Sequence, residues 1–214
     1  TRYLTDDCQM SEEKVRRTIF QYGPTAGIIQ GLISEHLATD EKMQVDPHAI
    51  VITSGCQEAI LLTLRALCRD PSDVLLAINP TYVGLTGAAR LLDIDVVAVA
   101  TDATGVDFAD FKAVVARLRA QGRTPKACYV MPDFANPSGA SMSLETRQAL
   151  LAVAFDEELL LIEDNPYGYF HGDETRLPTL KVLDITRQVV YLGSFSKTIF
   201  PGARVGFVVA DQLL

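Results

Sequence analysis

The 214-residue chain is 48% hydrophobic and 21% charged, the composition of a globular protein with one sizeable core or two small ones and not of a disordered chain. Its net charge of -8, with no basic block, excludes the electrostatic footprint of a nucleic-acid binder. No apolar run approaches the roughly 18 residues of a membrane-spanning helix, and Thr1-Arg2-Tyr3 opens no secretory h-region.

The first 45 residues read as one or two helices, 11–20 and 27–38, broken at Tyr22-Gly23-Pro24. Short β-branched runs then recur at 49–53, 74–78, 96–100, 127–131, 159–162, 189–192 and 205–209. Near-continuous apolar runs of this length suit strands buried on both faces of a mainly parallel sheet. Helical periodicity fills the intervals 57–68, 82–92, 108–121 and 144–155. In the third, Phe108, Phe111, Val115 and Leu118 form a stripe at three- and four-residue spacing, which reads as core packing. Strand and helix alternating in this way predict an α/β fold, a three-layer sandwich around a seven-stranded sheet. The expected organisation is a helical lead-in, 1–45, followed by one large domain, 46–214. Four cysteines, Cys8, Cys56, Cys68 and Cys128, show no C-x-x-C pairing, which argues against zinc and for a reducing compartment, with the cytoplasm as the default.

Ligands of such sheets collect at the carboxyl ends of the strands. The polar clusters fall there: Ser54-Gly55-Cys56-Gln57, Asn79-Pro80-Thr81-Tyr82, 132–139, Glu163-Asp164-Asn165-Pro166-Tyr167, and Ser194 to Lys197. Ser54 to Gln57 closes a strand and opens a helix, so it reads as an anion site or as an ordinary N-cap turn. Tyr82 is either a stacking ring or a core tyrosine, and Asn136 either an Asx-turn residue or a donor to a ligand oxygen. Asp164 is a partly buried carboxylate that wants a cationic or N–H partner, while Glu163 points to the opposite face and is structural. Lys197 can condense with a carbonyl, and Ser194, Ser196 and Arg204 suit phosphate oxygens. No histidine is assigned a role; His171 is expected to be solvated.

Taken together, N-P-x-G at Asn136, E-D-x-x-Y at Glu163 to Tyr167, and S-x-S-K at Ser194 to Lys197 with Arg204 seven residues on resemble one family. The chain is similar, from Tyr22 to Phe207, to the large domain of the fold type I pyridoxal-phosphate-dependent aminotransferases of class I and II. The kynurenine/α-aminoadipate aminotransferase-like branch is the nearest in pattern. The resemblance implies pyridoxal 5′-phosphate as cofactor, bound to Lys197 as a Schiff base, with Lys197 also moving the substrate proton. It implies Asp164 at the pyridine nitrogen, Asn136 and Tyr167 at the phenolic oxygen, and Tyr82 stacked on the ring. Gly55, Cys56, Gln57, Ser194 and Arg204 would hold the phosphate, and Tyr22 would reach the active site of the partner in a homodimer. Cys56 stands where the family usually has serine, threonine, glycine or alanine, and a thiol is the poorer donor. Family members are longer, adding a small domain from both chain ends that carries the substrate-carboxylate arginine; that domain is expected to be largely absent here.

The implied activity is transfer of an amino group between an amino acid and a 2-oxo acid. Elimination, cyclisation or oxidation of an amino acid on the same cofactor, and an aminotransferase-like sensor domain of a transcription regulator, remain open as alternatives. The residues do not select the amino acid.

Overall fold

The computed structural model describes residues 2–171 and 176–211. Strands β1 (Ile50–Thr53), β2 (Asp73–Ile78), β3 (Asp95–Val99), β4 (Thr124–Val130), β5 (Leu160–Asp164), β6 (Val189–Ser194) and β7 (Gly206–Val209) form one seven-stranded sheet. Its order is β1-β7-β6-β5-β4-β2-β3, and β7 alone runs against its neighbours. Helices α1 (Glu12–Phe20), α2 (Gln30–His36), α3 (Cys56–Leu67), α4 (Val83–Leu91), α5 (Phe108–Ala120), α6 (Leu144–Asp156) and α7 (Leu180–Leu183) complete the framework.

Residue parity divides the sheet between two cores, because successive side chains of a strand point to opposite faces. Val74, Leu76, Cys128, Val130, Leu161 and Val189 join Phe111, Val115 and Leu118 of α5 and Leu150 of α6 in one core. Leu75, Ala77, Tyr129, Ile162, Val190 and Leu192 join Ile60 and Leu64 of α3 and Leu85 and Ala88 of α4 in the other. At the β1–β7–β6 end, Ile33 of α2 and Leu37 pack on Ile50, Tyr191 and Phe207. The result is the expected three-layer α/β sandwich.

Several elements announce their starts chemically: Ser11, Asp107, Ser143 and Thr179 each accept a first-turn backbone N–H at α1, α5, α6 and α7. The boundaries moved where function lies. β5 runs two residues past the expected 162 and β6 two past 192, so Asp164 and Ser194 are the last residues of their strands. The helix expected over 27–38 is shorter, Gln30–His36, and continues as a wide turn over Leu37–Glu41. The four-residue α7 was not foreseen; one turn is too short for periodicity to show.

His171, expected in solvent, lies under the molecule's polar interior: its Nε2 is 3.1 Å from Asp133 Oδ1, with only 12% of its side chain exposed. Asp133 also pairs with Arg147, and both side chains are fully buried. Arg147 further donates to the carbonyls of Met142 (3.2 Å) and Pro132 (3.5 Å), which ties the two ends of the 132–142 loop to α6, and to that of Pro178 (3.0 Å).

Candidate active site

The carboxyl edge of the sheet encloses a cavity of about 430 Å³. From the start of α3 come Cys56 and Gln57; Tyr82 enters from just before α4, and Asn136 from the loop after β4. Asp164 and Tyr167 close the end of β5, and Ser194, Ser196, Lys197 and Arg204 follow from β6 and the loop beyond it. Nine of the expected cofactor contacts thus share one hollow although 148 positions separate the first from the last, Cys56 from Arg204. Gly55 sits beside it, and its φ of +88° and ψ of 167° belong to glycine alone. Tyr22 is fully exposed and lines no part of the cavity.

Helix α3 follows Gly55 as its N-cap without a side-chain cap, so no capping side chain takes up the backbone N–H groups of its first turn at the cavity wall. Arg204 adds a guanidinium on the same side: its Nη2 donates to Ser54 O at 3.1 Å, which leaves the remaining donors of the fork for a ligand. Gln57 Nε2 donates to Gly84 O at 2.8 Å and locks the α3 start to the α4 start next to Tyr82.

Asp164 is 3% exposed. Burial lifts its pKa from the ordinary carboxylate value, and hydrogen bonds from Tyr129 and Cys56 pull it back. Cys56 Sγ donates to Oδ1 at 3.3 Å, and the Tyr129 hydroxyl donates to Oδ2. Burial and then the neighbouring carboxylate drive the Cys56 pKa well above that of a free thiol, so Cys56 is a neutral donor and no nucleophile. Burial likewise raises the Tyr82 phenol, with Asp164, Cys56 and Tyr167 adding to the shift.

Glu163 faces the other core, as parity requires. Its two oxygens accept the backbone N–H groups of Leu180 and Lys181, each at 2.8 Å, at the head of α7. Burial pushes its pKa up to about 8, against the pull of those amides and of Arg147.

Tyr129 and Gly84 escaped the sequence reading. Tyr129 carried a weak signal, a polar tip within an apolar strand, since a buried phenol needs a partner. Gly84 carried none: a Cβ there would strike the Tyr82 ring and fall 2.6 Å from Gln57 Oε1.

The donor set fits a flat, phosphorylated pyridine aldehyde: a buried carboxylate for a protonated ring nitrogen, an uncapped helix start with an arginine for phosphate, and a lysine for the carbonyl. Fold and site together define the large domain of a pyridoxal-phosphate enzyme. The chain belongs to the aminotransferase class I and II family, whose model matches residues 3–214. It is 53% identical over 210 residues to the (S)-3,5-dihydroxyphenylglycine transaminase of Amycolatopsis orientalis, covering 98% of this chain and 48% of that protein. Among solved structures, an archaeal alanine:glyoxylate aminotransferase superposes with a TM-score of 0.85 at 32% identity, over 93% of this chain and 49% of that one. The kynurenine aminotransferase of Pyrococcus horikoshii, solved with PMP, superposes at 0.83 and 30% identity, over 94% and 50%. The chain spans about half the length of the curated relatives it matches.

Proposed function

We propose that this protein is a pyridoxal 5′-phosphate-dependent aminotransferase that moves an amino group from an amino acid to a 2-oxo acid. The observation that carries the reading is the single cavity in which Lys197, Asp164, Asn136, Tyr167 and Arg204 converge. When bound, the cofactor supplies an electron sink next to the amino nitrogen. Lys197 would hold the cofactor's aldehyde carbon and, once released, would carry the proton to and from the substrate α-carbon. Asp164 would keep the pyridine nitrogen protonated, and its burial strengthens that charge pairing. Asn136 and Tyr167 donate to the phenolic oxygen, and Tyr82 covers one face of the ring. The α3 start, Ser194 and Arg204 hold the phosphate, and Ser196 stands ready beside them.

The 53% identity to an arylglycine transaminase supports aromatic amino acids as the first donors to try. We read residues 46–214 as the cofactor-binding domain and 1–45 as the segment leading into it. Tyr22, wholly exposed on its own chain, is free to enter the site of a second copy in a homodimer. Four free cysteines fit a reducing compartment, the cytoplasm; among the described residues no helix is long and apolar enough to cross a membrane. The test is a half-reaction. The natural protein, loaded with pyridoxal phosphate and given an aromatic amino acid without acceptor, should yield pyridoxamine phosphate and the 2-oxo acid. Release of ammonia in place of pyridoxamine phosphate would move the protein to the elimination or oxidation reading.

A further inference from the structure

Asp164 has no cation paired with it among the described residues. In its place stand two neutral donors on two different elements, one for each oxygen: the Cys56 thiol from the first residue of α3 and the Tyr129 phenol from β4. Tyr129 and Asp164 reach each other because Tyr129 pairs with Ile162 across β4 and β5, and Asp164, two residues on, projects from the same face. The position occupied by Cys56 belongs to the phosphate-binding turn, yet its side chain is turned away from that duty and toward the carboxylate.

We infer that Cys56 and Tyr129 are positioning residues for Asp164, a pair of neutral donors that fixes the plane of its carboxylate while leaving its negative charge for the ring nitrogen. The inference rests on the proposed function, in which Asp164 serves that nitrogen. A lysine or arginine in the same place would orient the carboxylate but also neutralise it, and its field would repel a protonated pyridine. A hydroxyl and a thiol orient it without adding positive charge. Each carboxylate oxygen has two lone-pair directions, so one donor on each leaves acceptor capacity toward the cavity. Their hydrogen bonds also oppose the upward pull of burial on the Asp164 pKa. The other ionisable groups that share the cavity are Tyr82 from ahead of α4, Tyr167 from beyond β5, and Lys197 and Arg204 from beyond β6. Of these, Tyr82 also feels Cys56 and Tyr129, which is why the titration follows the Asp164 carboxyl band itself.

The test reads Asp164 directly, in the natural full-length protein stripped of cofactor. Difference infrared spectra across a pH titration follow its carboxyl band, assigned by its loss in Asp164→Asn. Removing either donor, in Cys56→Ala or Tyr129→Phe, should raise the proton affinity of Asp164 about tenfold, the size expected when a hydrogen bond to a charged group is lost. Cys56→Ser, which keeps a donor, should restore it. An unchanged titration in both deletion variants, or a Cys56→Ser protein that titrates like Cys56→Ala, would overturn the inference and leave Cys56 as packing. Should Tyr129→Phe fold poorly, the two Cys56 variants decide alone, because they differ by one polar atom. Failure of the unaltered protein to bind pyridoxal phosphate would instead sink the proposed function, and the Asp164 titration would still stand.

Discussion

The guanidinium of Arg204 rests against the α-carbon of Gly55 in the space a side chain would fill, and its Nη2 bonds the carbonyl of Ser54 just before it. One arginine and one glycine thus shape the end of the cavity that we propose takes the phosphate. Gly55→Ala meets two obstacles: a backbone region that costs side-chain residues about 1–3 kcal/mol, and a collision with Arg204. Pyridoxal phosphate affinity should fall by at least about tenfold, while affinity for pyridoxal, which lacks the phosphate, changes far less. Titrations of both ligands by absorbance check this.

Gly84→Ala should weaken cofactor binding from the opposite wall. Its Cβ would push the Tyr82 ring and the Gln57 amide that bonds Gly84 O. The substitution sits in the first turn of α4, where alanine is the better helix former by up to about 1 kcal/mol. Thermal stability should therefore hold or rise while the dissociation constant for pyridoxal phosphate increases, a split that calorimetric melting and absorbance titration resolve.

Arg147→Met removes one member of a fully buried ion pair and leaves the Asp133 carboxylate without its main partner. Breaking such a pair costs about 3–5 kcal/mol. The 132–142 loop also loses its ties through Met142 and Pro132. Chemical denaturation should show a loss of that size, and Asn136, carried on the same loop, should contribute less to cofactor affinity in the variant.

Glu163 makes stability depend on pH. Its folded pKa of about 8 lies above the ordinary 4.5, so the folded state binds the proton more tightly than the unfolded chain. Its favourable contribution is complete below pH 4.5 and is lost as pH rises through 8, because deprotonation in the buried site is penalised. Denaturation midpoints of the unaltered protein should carry a downward slope in that window. Glu163→Gln should flatten the slope, at a constant cost from the N–H group that loses its acceptor; an identical slope in both proteins would remove Glu163 from the account.

Much of this molecule was legible in the chain because its signals are local. Strand runs such as 74–78 and 127–131 are apolar on both faces, and that continuity marks a parallel sheet covered on two sides. Lys197, Asp164, Asn136 and Arg204 stand at strand ends within short patterns, so their convergence followed from topology. The partners of Asp164 were hidden because they depend on register between β4 and β5 and on the rotamer of Cys56, neither of which has a local signature. His171 was misplaced for a similar reason: a histidine next to glycine and aspartate looks solvated until Asp133, 38 positions away, is brought beneath it.

The central claim is that Lys197 is the residue that takes the cofactor. Borohydride reduction of the natural protein saturated with pyridoxal phosphate, followed by peptide mass spectrometry, tests it most directly. The account predicts a phosphopyridoxyl group on Lys197 alone and none after Lys197→Ala. Labelling of a different lysine, or equal labelling in the Lys197→Ala protein, would contradict it.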